Sequence, residues 1–428
     1  MSRALTCCAA VAALSLAGLP TRAVAVPAFA RQTGATCSSC HFQHFPTLTP
    51  YGQTFKAGNY AQSGGQGLVE GDILSLPAVL NLSMILKMKY VKTNGSSGEG
   101  TDRGEFMMPD EASIFLGGRV GTNMGFLVEG QLADDASPVF ASFKVPIGAN
   151  ALGGRLSLIP FATDALGTPF GFELLSTGAV QNVRSFEERA ATSAQQYVVG
   201  GAGEGVAEGL AFVYVREAGF ANVTLWTPNH GTVALDRPTY YVRVAATPAL
   251  GAWRFGSGVQ WWVGKATSIG AVTKAVALDF QALGAAANLP LGLYLSYARA
   301  PGTPSGLDVG DPNFFNRQPN AQWAVAGAAE VGILPGRLTV GLGYRDARSG
   351  VDPLFYPDPE APFSMLSIGP PVLGRLVARD EDRAFTFSST LMLAQNLSLH
   401  MSHTIFSGDA WAQRTDNQKF SMTMFAAF

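Results

Sequence analysis

The chain has 428 residues, of which 14% are charged, and a formal net charge of −2. Soluble globular proteins carry about 25% charged residues, and a near-neutral balance supplies no basic field for nucleic acid. The length allows two or more ordinary domains or one large barrel.

Residues 1–25 read as a secretion signal. Arg3 gives the positive end, Ala9 to Leu19 the short apolar core, and Ala23-Val24-Ala25 a small-x-small cleavage site. Ala28-Phe29-Ala30 is a second, weaker match. Cys7 and Cys8 lie before or within the apolar core and leave with it, because a lipidated cysteine would follow that core. The mature chain then holds Cys37 and Cys40 as its only cysteines, in an oxidising compartment.

Those two stand in Cys37-Ser38-Ser39-Cys40-His41, the Cys-x-x-Cys-His pattern of c-type haem attachment. Two thiols three positions apart on one turn reach the two vinyl groups of a haem, and the next residue sets its imidazole under the iron as proximal ligand. A Cys37–Cys40 disulfide would not need His41. A zinc site built from Cys37, Cys40, His41 and His44 has suitable atoms, but adjacent Cys40 and His41 point in different directions. The segment 26–62 is too short to bury a porphyrin by itself. Phe42, Phe45, Tyr51, Phe55 and Tyr60 are candidates to pack on the ring, and a barrel lumen could supply the missing walls. Residues 26–62 are therefore expected to plug a barrel, inside it or at its periplasmic mouth. His44 is too close to His41 to reach the opposite side of the same iron, and is expected to hydrogen-bond a propionate or a lumen wall. The sixth ligand is unknown: Met84 and Met88 fall on an outer face, Met107 and Met108 remain open, and His230, His400 and His403 could line a lumen.

Residues 63–75, with the Gly-rich Ala61–Asp72, read as a linker. From about residue 76 onward, ten-residue segments alternate apolar and polar, separated by Gly, Pro, Asn and Asp. In Asn81–Tyr90, Leu82, Met84, Leu86, Met88 and Tyr90 share one face and Ser83, Ile85, Lys87 and Lys89 the other. Glu111–Leu132 does this twice around a Gly-Thr-Asn turn, with Glu111, Ser113, Arg119, Glu129 and Gln131 inward. Lys419–Phe428 alternates to a terminal aromatic, a familiar ending for bacterial outer-membrane barrels. The most apolar later stretch, Ala275–Ala298, is interrupted by Asp279, Gln281, Asn288 and Pro290, so spanning helices are not expected. The predicted fold class is all-β: residues 76–428 form a transmembrane outer-membrane β-barrel of about 16 antiparallel strands, both ends in the periplasm and Thr93–Glu105 the first outer loop. A soluble β-sandwich or β-solenoid also alternates, but low charge and outward aromatic and methionine sets oppose it.

The stretch Phe29–Tyr60 resembles the N-terminal segment of the fused monohaem cytochrome c–porin iron oxidases of bacterial outer membranes. The resemblance rests on Arg31-Gln32-Thr33-Gly34, the haem motif, His41-Phe42-Gln43-His44-Phe45-Pro46 and Phe55-Lys56-Ala57-Gly58. One departure is Gly52-Gln53, where the family pattern has Gly-Arg; over the barrel the likeness is architectural, with a local echo in Pro109–Arg119. The resemblance implies an outer-membrane enzyme that oxidises extracellular Fe(II). One covalent haem c, held by Cys37, Cys40 and His41, would pass the electron to a periplasmic c-type cytochrome or another carrier. It assigns no iron-docking residue; acidic loops near Glu99 and Asp102, or Asp352, Asp358 and Glu360, could attract Fe(II). Other readings are a conduit running outward to an extracellular acceptor, a diffusion porin with a structural or sensory haem, and a soluble periplasmic cytochrome with a β-rich partner domain. No Ser/His/Asp arrangement, phosphate loop or metalloprotease helix is present.

Overall fold

The computed structural model describes residues 27–72, 74–95, 102–132, 142–163, 167–176, 189–200, 207–228, 239–303, 311–351, 380–411 and 416–428. Sixteen antiparallel strands close into a barrel, each broken strand counted once. They are β1 (Leu82–Thr93), β2 (Glu105–Gly121), β3 (Met124–Gln131), β4 (Ser142–Lys144 and Ile147–Ala151), β5 (Gly154–Thr163), β6 (Ala207–Arg216), β7 (Gly219–Thr227) and β8 (Thr239–Ala246 and Ala249–Leu250). There follow β9 (Trp253–Val263), β10 (Ala275–Ala286), β11 (Leu289–Ala300), β12 (Gln322–Leu334), β13 (Leu338–Arg348), β14 (Glu381–Ala394), β15 (Leu397–Ser407) and β16 (Gln418–Ala427). Both breaks fall at a proline, Pro146 in β4 and Pro248 in β8, which has no N–H to give the ladder. The seam closes where β16 pairs with β1, from Lys419 opposite Thr93 to Ala427 opposite Ile85.

The stretch Ala275–Ala298 is two strands, β10 and β11, turned at Ala287 and Asn288 with φ of 50° and 65°, as a two-residue hairpin of this twist requires. Turns of this kind gather at one end of the barrel, which also receives the chain before β1 and the C-terminal Phe428. The longer connections gather at the other end. Side chains alternate as expected. Tyr240 and Trp261 are exposed on the outside, while their neighbours Tyr241 and Trp262 are buried within. The inward set Glu111, Ser113 and Lys87 meets inside, Lys87 Nζ lying 2.8 Å from Glu111 Oε2.

The N-terminal segment lies within the barrel at the short-turn end. It has three short helices, α1 (Ala28–Thr33), α2 (Cys37–Cys40) and α3 (Pro50–Ala57). Thr49 caps α3, its hydroxyl accepting from Gly52 N at 3.2 Å, with Pro50 at the first position. The segment has its own small core: Phe29 packs on Phe55 at 5.1 Å and on Tyr60 at 4.8 Å. Gln32 ties it to the wall. Its amide donates to Tyr60 O (2.6 Å) and Gln62 O (2.7 Å), and its carbonyl accepts from the backbone N–H of Arg119 in β2 (2.9 Å).

The inner wall is polar at many positions, with Arg243, Gln260, Asp279, Glu330 and Arg345 buried, but the interior is also filled. The described parts of the connection between β5 and β6 lie inside the barrel. Residues 167–176 and the helices α4 (Arg189–Thr192) and α5 (Ala194–Val198) pack against the wall. Phe170, Phe172, Leu174 and Leu175 are buried with Ile159, Phe161, Tyr241 and Trp262, making a packed hydrophobic core inside the barrel. The expected linker also has structure: Leu68–Glu70 pairs with Ser75–Pro77, and the barrel begins at Leu82.

Candidate functional site

Cys37 and Cys40 sit on the single turn of α2 as free, half-buried thiols. His41 leaves the turn in extended conformation (φ −114°, ψ 134°), its N–H donating to Cys37 O at 2.9 Å. The chain then doubles back. Phe42 N donates to Thr47 O and Thr49 N to Cys40 O, each at 2.9 Å. This brings α3 against the back of the motif at Gly52, where a Cβ would stand 2.4 Å from Cys40 O. Only glycine lets the two backbones approach so closely.

Several contacts fasten the motif to the interior, three of them through Leu48, Lys56 and His44. Leu48 N donates to Leu175 O of the in-folded connection at 3.1 Å, and Lys56 Nζ to Ser176 O at 3.0 Å. Burial pulls the Lys56 ammonium down to about 7, against the opposing carboxylate of Glu173. The third point is His44. Its Nε2 lies 2.7 Å from Glu330 Oε1 on β12, and its Nδ1 2.6 Å from Phe45 O. A carbonyl oxygen only accepts, so Nδ1 carries a proton, and a second proton is held between Nε2 and the carboxylate. His44 thus bonds a lumen wall, as the sequence led one to expect.

Rings line the space beside the motif. His41 is 5.6 Å from Phe45, which stacks at 5.9 Å on Phe425 of β16. His400 of β15 stands 5.9 Å from His44 and holds Thr390 Oγ1 and Ser398 Oγ. Phe55 and Tyr60, expected on a haem ring, instead fill the core around Phe29, and Tyr51 meets Gln62. Phe42 packs against the interior core.

The donor set fits a haem c. Two thiols lie on one turn, and the following imidazole has an Nδ1 that is buried and without a hydrogen-bond partner. Burial lowers the His41 ring to about 4, against carbonyls of Thr47 and Pro46, so it is neutral. Burial likewise raises both thiols, Cys40 to about 11, keeping them protonated at neutral pH. A zinc site is not formed: His44 is turned to Glu330, and no group of three or more His, Cys, Asp or Glu among the described residues is placed to hold a metal ion.

Of the other candidate ligands, Met84 and Met88 belong to the outer face, Met88 opposite Met424. Met108 is 66% exposed, and Met107 pairs with Lys89, away from the motif. His400 lines the interior, but His403 does not: it lies in register with the outward Phe387 and Phe420. Residues 1–25, Glu99, His230, Asp352, Asp358 and Glu360 lie outside the described residues, whereas Asp102 is an exposed turn residue.

Sequence reasoning missed a buried cluster on the opposite wall. Arg243 donates through Nη1 and Nη2 to Asp279 (2.6 and 2.8 Å) and through Nε to Glu173 (3.1 Å). Gln260 donates to Asp279 and to Gln195 of α5. The one available signal was charge at inward strand positions, Arg243 and Asp279; Glu173 has no such pattern.

No protein-family model and no curated protein sequence matches the chain. Solved structures do. OmpF of Salmonella typhi in complex with daunomycin superimposes with a TM-score of 0.50 at 11% identity, covering 85% of this chain and 100% of that one. The fold is that of the outer-membrane porins. The outer membrane channel DcaP of Acinetobacter baumannii is also similar (10% identity, 85% and 100% covered, TM-score 0.48), as is an OmpT loop-deletion mutant of Vibrio cholerae (11%, 82% and 99%, 0.46). None of these is a cytochrome-fused porin, so the likeness concerns the barrel.

Proposed function

We propose that the chain is an outer-membrane cytochrome c–porin that takes electrons from extracellular Fe(II) and passes them to a periplasmic c-type cytochrome or another carrier. The observation that carries this reading is the Cys37–Cys40–His41 turn held inside a closed barrel, with two free thiols beside a neutral imidazole whose Nδ1 lacks a partner. Cys37 and Cys40 would form the thioethers and His41 the proximal ligand bond. When bound, haem c would supply a one-electron couple matched to the oxidation of Fe(II) to Fe(III).

The remaining residues hold and insulate that site. Gly52 lets α3 brace the turn, His44–Glu330 seats the segment on β12, and the Arg243 cluster fixes the in-folded connection across the interior. The exposed outer belt of Trp261, Leu278, Leu295 and Phe387 suits a hydrocarbon surrounding. With short turns toward the periplasm, the haem motif faces the carrier and the long connections face the iron. An electron crosses such an interior while the insoluble Fe(III) product stays outside. The packed core within the barrel works against the diffusion-porin reading.

The test is an absorbance spectrum of the protein in outer-membrane preparations, with haem staining, before and after Fe(II) is added to the oxidised form. Appearance of the ferrous c-type spectrum is expected. Absence of covalent haem would sink the proposal. Haem reduced by dithionite and not by Fe(II) would reverse the current toward an extracellular acceptor.

A further inference from the structure

The short-turn end carries a charge pattern that the haem motif does not use. At its centre lies the plug, and the plug's open side is neutral. Between Gly34 and Gly67 the one Lys, Arg, Asp or Glu is Lys56, which is buried and donates to Ser176 O. Lys56 and Gly52 share one face of α3, the face turned to the in-folded connection and the Cys37–Cys40 turn. Away from that face, Pro50 and Thr54 are exposed, and exposed Gln62 donates to Tyr51 Oη at 3.4 Å.

Arginines stand around this neutral centre, and three of them fall at inward strand positions. Arg155 of β5 shares its face with Ser157, whose hydroxyl donates to Asn59 of the plug at 2.9 Å. Arg254 of β9 shares its face with Gly256, where a Cβ would meet Leu175 of the interior. Arg337, directly before β13, shares its side of the chain with Thr339, whose hydroxyl donates to Gln43 of the plug at 3.1 Å. Arg155 donates to the Oδ1 atoms of Asn150 and Asn123 at 3.4 and 3.3 Å. Arg254 and Arg337 are exposed, and among the described residues neither has a carboxylate partner. In the ring of sixteen strands β5, β9 and β13 lie four strands apart, so the three arginines mark three quarters of the mouth. The fourth quarter, at β1 and β2, holds the hairpin of Leu68–Glu70 with Ser75–Pro77, tied to Arg119 through Ser75 and carrying exposed Glu70 and Asp72. In the short turns the one acidic side chain is Glu217, and it adjoins Arg216. A neutral centre inside a ring of charge suits a transient electron-transfer contact: the ring steers the encounter over a distance, and no ion pair has to be desolvated at the centre. Lipid would meet outward positions, whereas these three share their faces with residues that meet the plug and the interior.

We propose that this mouth docks the acidic face of a periplasmic electron-carrier protein, with Arg155, Arg254 and Arg337 meeting its carboxylates and the open side of α3 covered by it. The acidic quarter at Glu70 and Asp72 then fixes which way round the carrier sits. The proposal rests on the reading that electrons leave toward a periplasmic carrier. The experiment titrates the full-length protein, in phosphatidylcholine nanodiscs, with a basic cytochrome c and with the succinylated, acidic form of the same cytochrome. Binding is read by biolayer interferometry and needs no electron transfer. The acidic form is expected to bind at least roughly tenfold more tightly than the basic one and to weaken as ionic strength rises. Arg254→Glu with Arg337→Glu, checked for barrel folding by heat-modifiable migration, is expected to abolish that preference. Arg254→Gln with Arg337→Gln is expected to reduce it and Arg254→Lys with Arg337→Lys to keep it, which leaves a reading should the glutamate variant not fold. Equal binding of the two forms, binding of neither, or an acid preference that survives the glutamate and glutamine variants overturns the proposal. Variants that still bind the acidic form but no longer insert into phosphatidylglycerol-containing vesicles overturn it too, and give the arginines to lipid headgroups. Haem staining of the same preparations separates the two readings: haem without the acid preference removes the docking surface alone, while absence of haem removes the electron-transfer reading and this proposal with it.

Discussion

Gly52 sets how closely α3 approaches the Cys37–Cys40 turn. A methyl group there, 2.4 Å from the Cys40 carbonyl oxygen, forces backbone to move, at a cost of about 1–3 kcal/mol for overpacking. Gly52→Ala is expected to fold as a barrel and carry less covalent haem, read as heme-stain intensity per folded protein. His44→Ala leaves the Glu330 carboxylate buried opposite nothing charged, a loss of about 3–5 kcal/mol. His44→Gln with Glu330→Gln restores much of it, as denaturant midpoints would show. Lys56 gives a pH signature. Its folded value of about 7 lies below the ordinary 10.5, so between those values the unfolded chain binds more protons and stability rises with pH. Lys56→Met is expected to flatten that rise, measured as urea midpoints at neutral and alkaline pH.

The in-folded connection stands or falls with Arg243. Replacing it alone by methionine leaves Glu173 and Asp279 facing each other in the interior. The expected loss is again about 3–5 kcal/mol, and changing Glu173 to Gln and Asp279 to Asn as well relieves it. Thermal unfolding of the single and triple variants checks this. The strands were legible because one buried and one exposed face impose a period of two, visible in Asn81–Tyr90 and Lys419–Phe428. The Cys37–His41 turn was legible as a unit because its spacing is local. Residues 167–176 and 189–200 were illegible because they obey no period: they meet the wall through partners far away in sequence, as Glu173 meets Arg243 and Gln195 meets Gln260. Phe55 and Tyr60 have a partner that the sequence did not indicate, for a related reason. Aromatics signal burial without saying against what, and these two pack on Phe29.

For the molecule as a whole, a sixteen-stranded barrel of this size would ordinarily enclose an aqueous channel. Here the plug and the in-folded connection occupy it. Purified full-length protein in planar bilayers is therefore expected to show far less conductance than an open sixteen-stranded porin, and steady porin-like current would refute the insulating role given to this interior. The same arrangement dictates an order of assembly. The plug is the first part of the described chain to be synthesised, yet Phe45 rests on Phe425 of β16 and His44 beside His400 of β15, the last strands to emerge. The plug's seat is therefore complete only when β15 and β16, which pairs with β1 at the seam, have joined the sheet. The contacts that seat the Cys37–Cys40 turn in the interior are thus the last to become available, and on the proposed reading a thioether would have the interval before that seating in which to form.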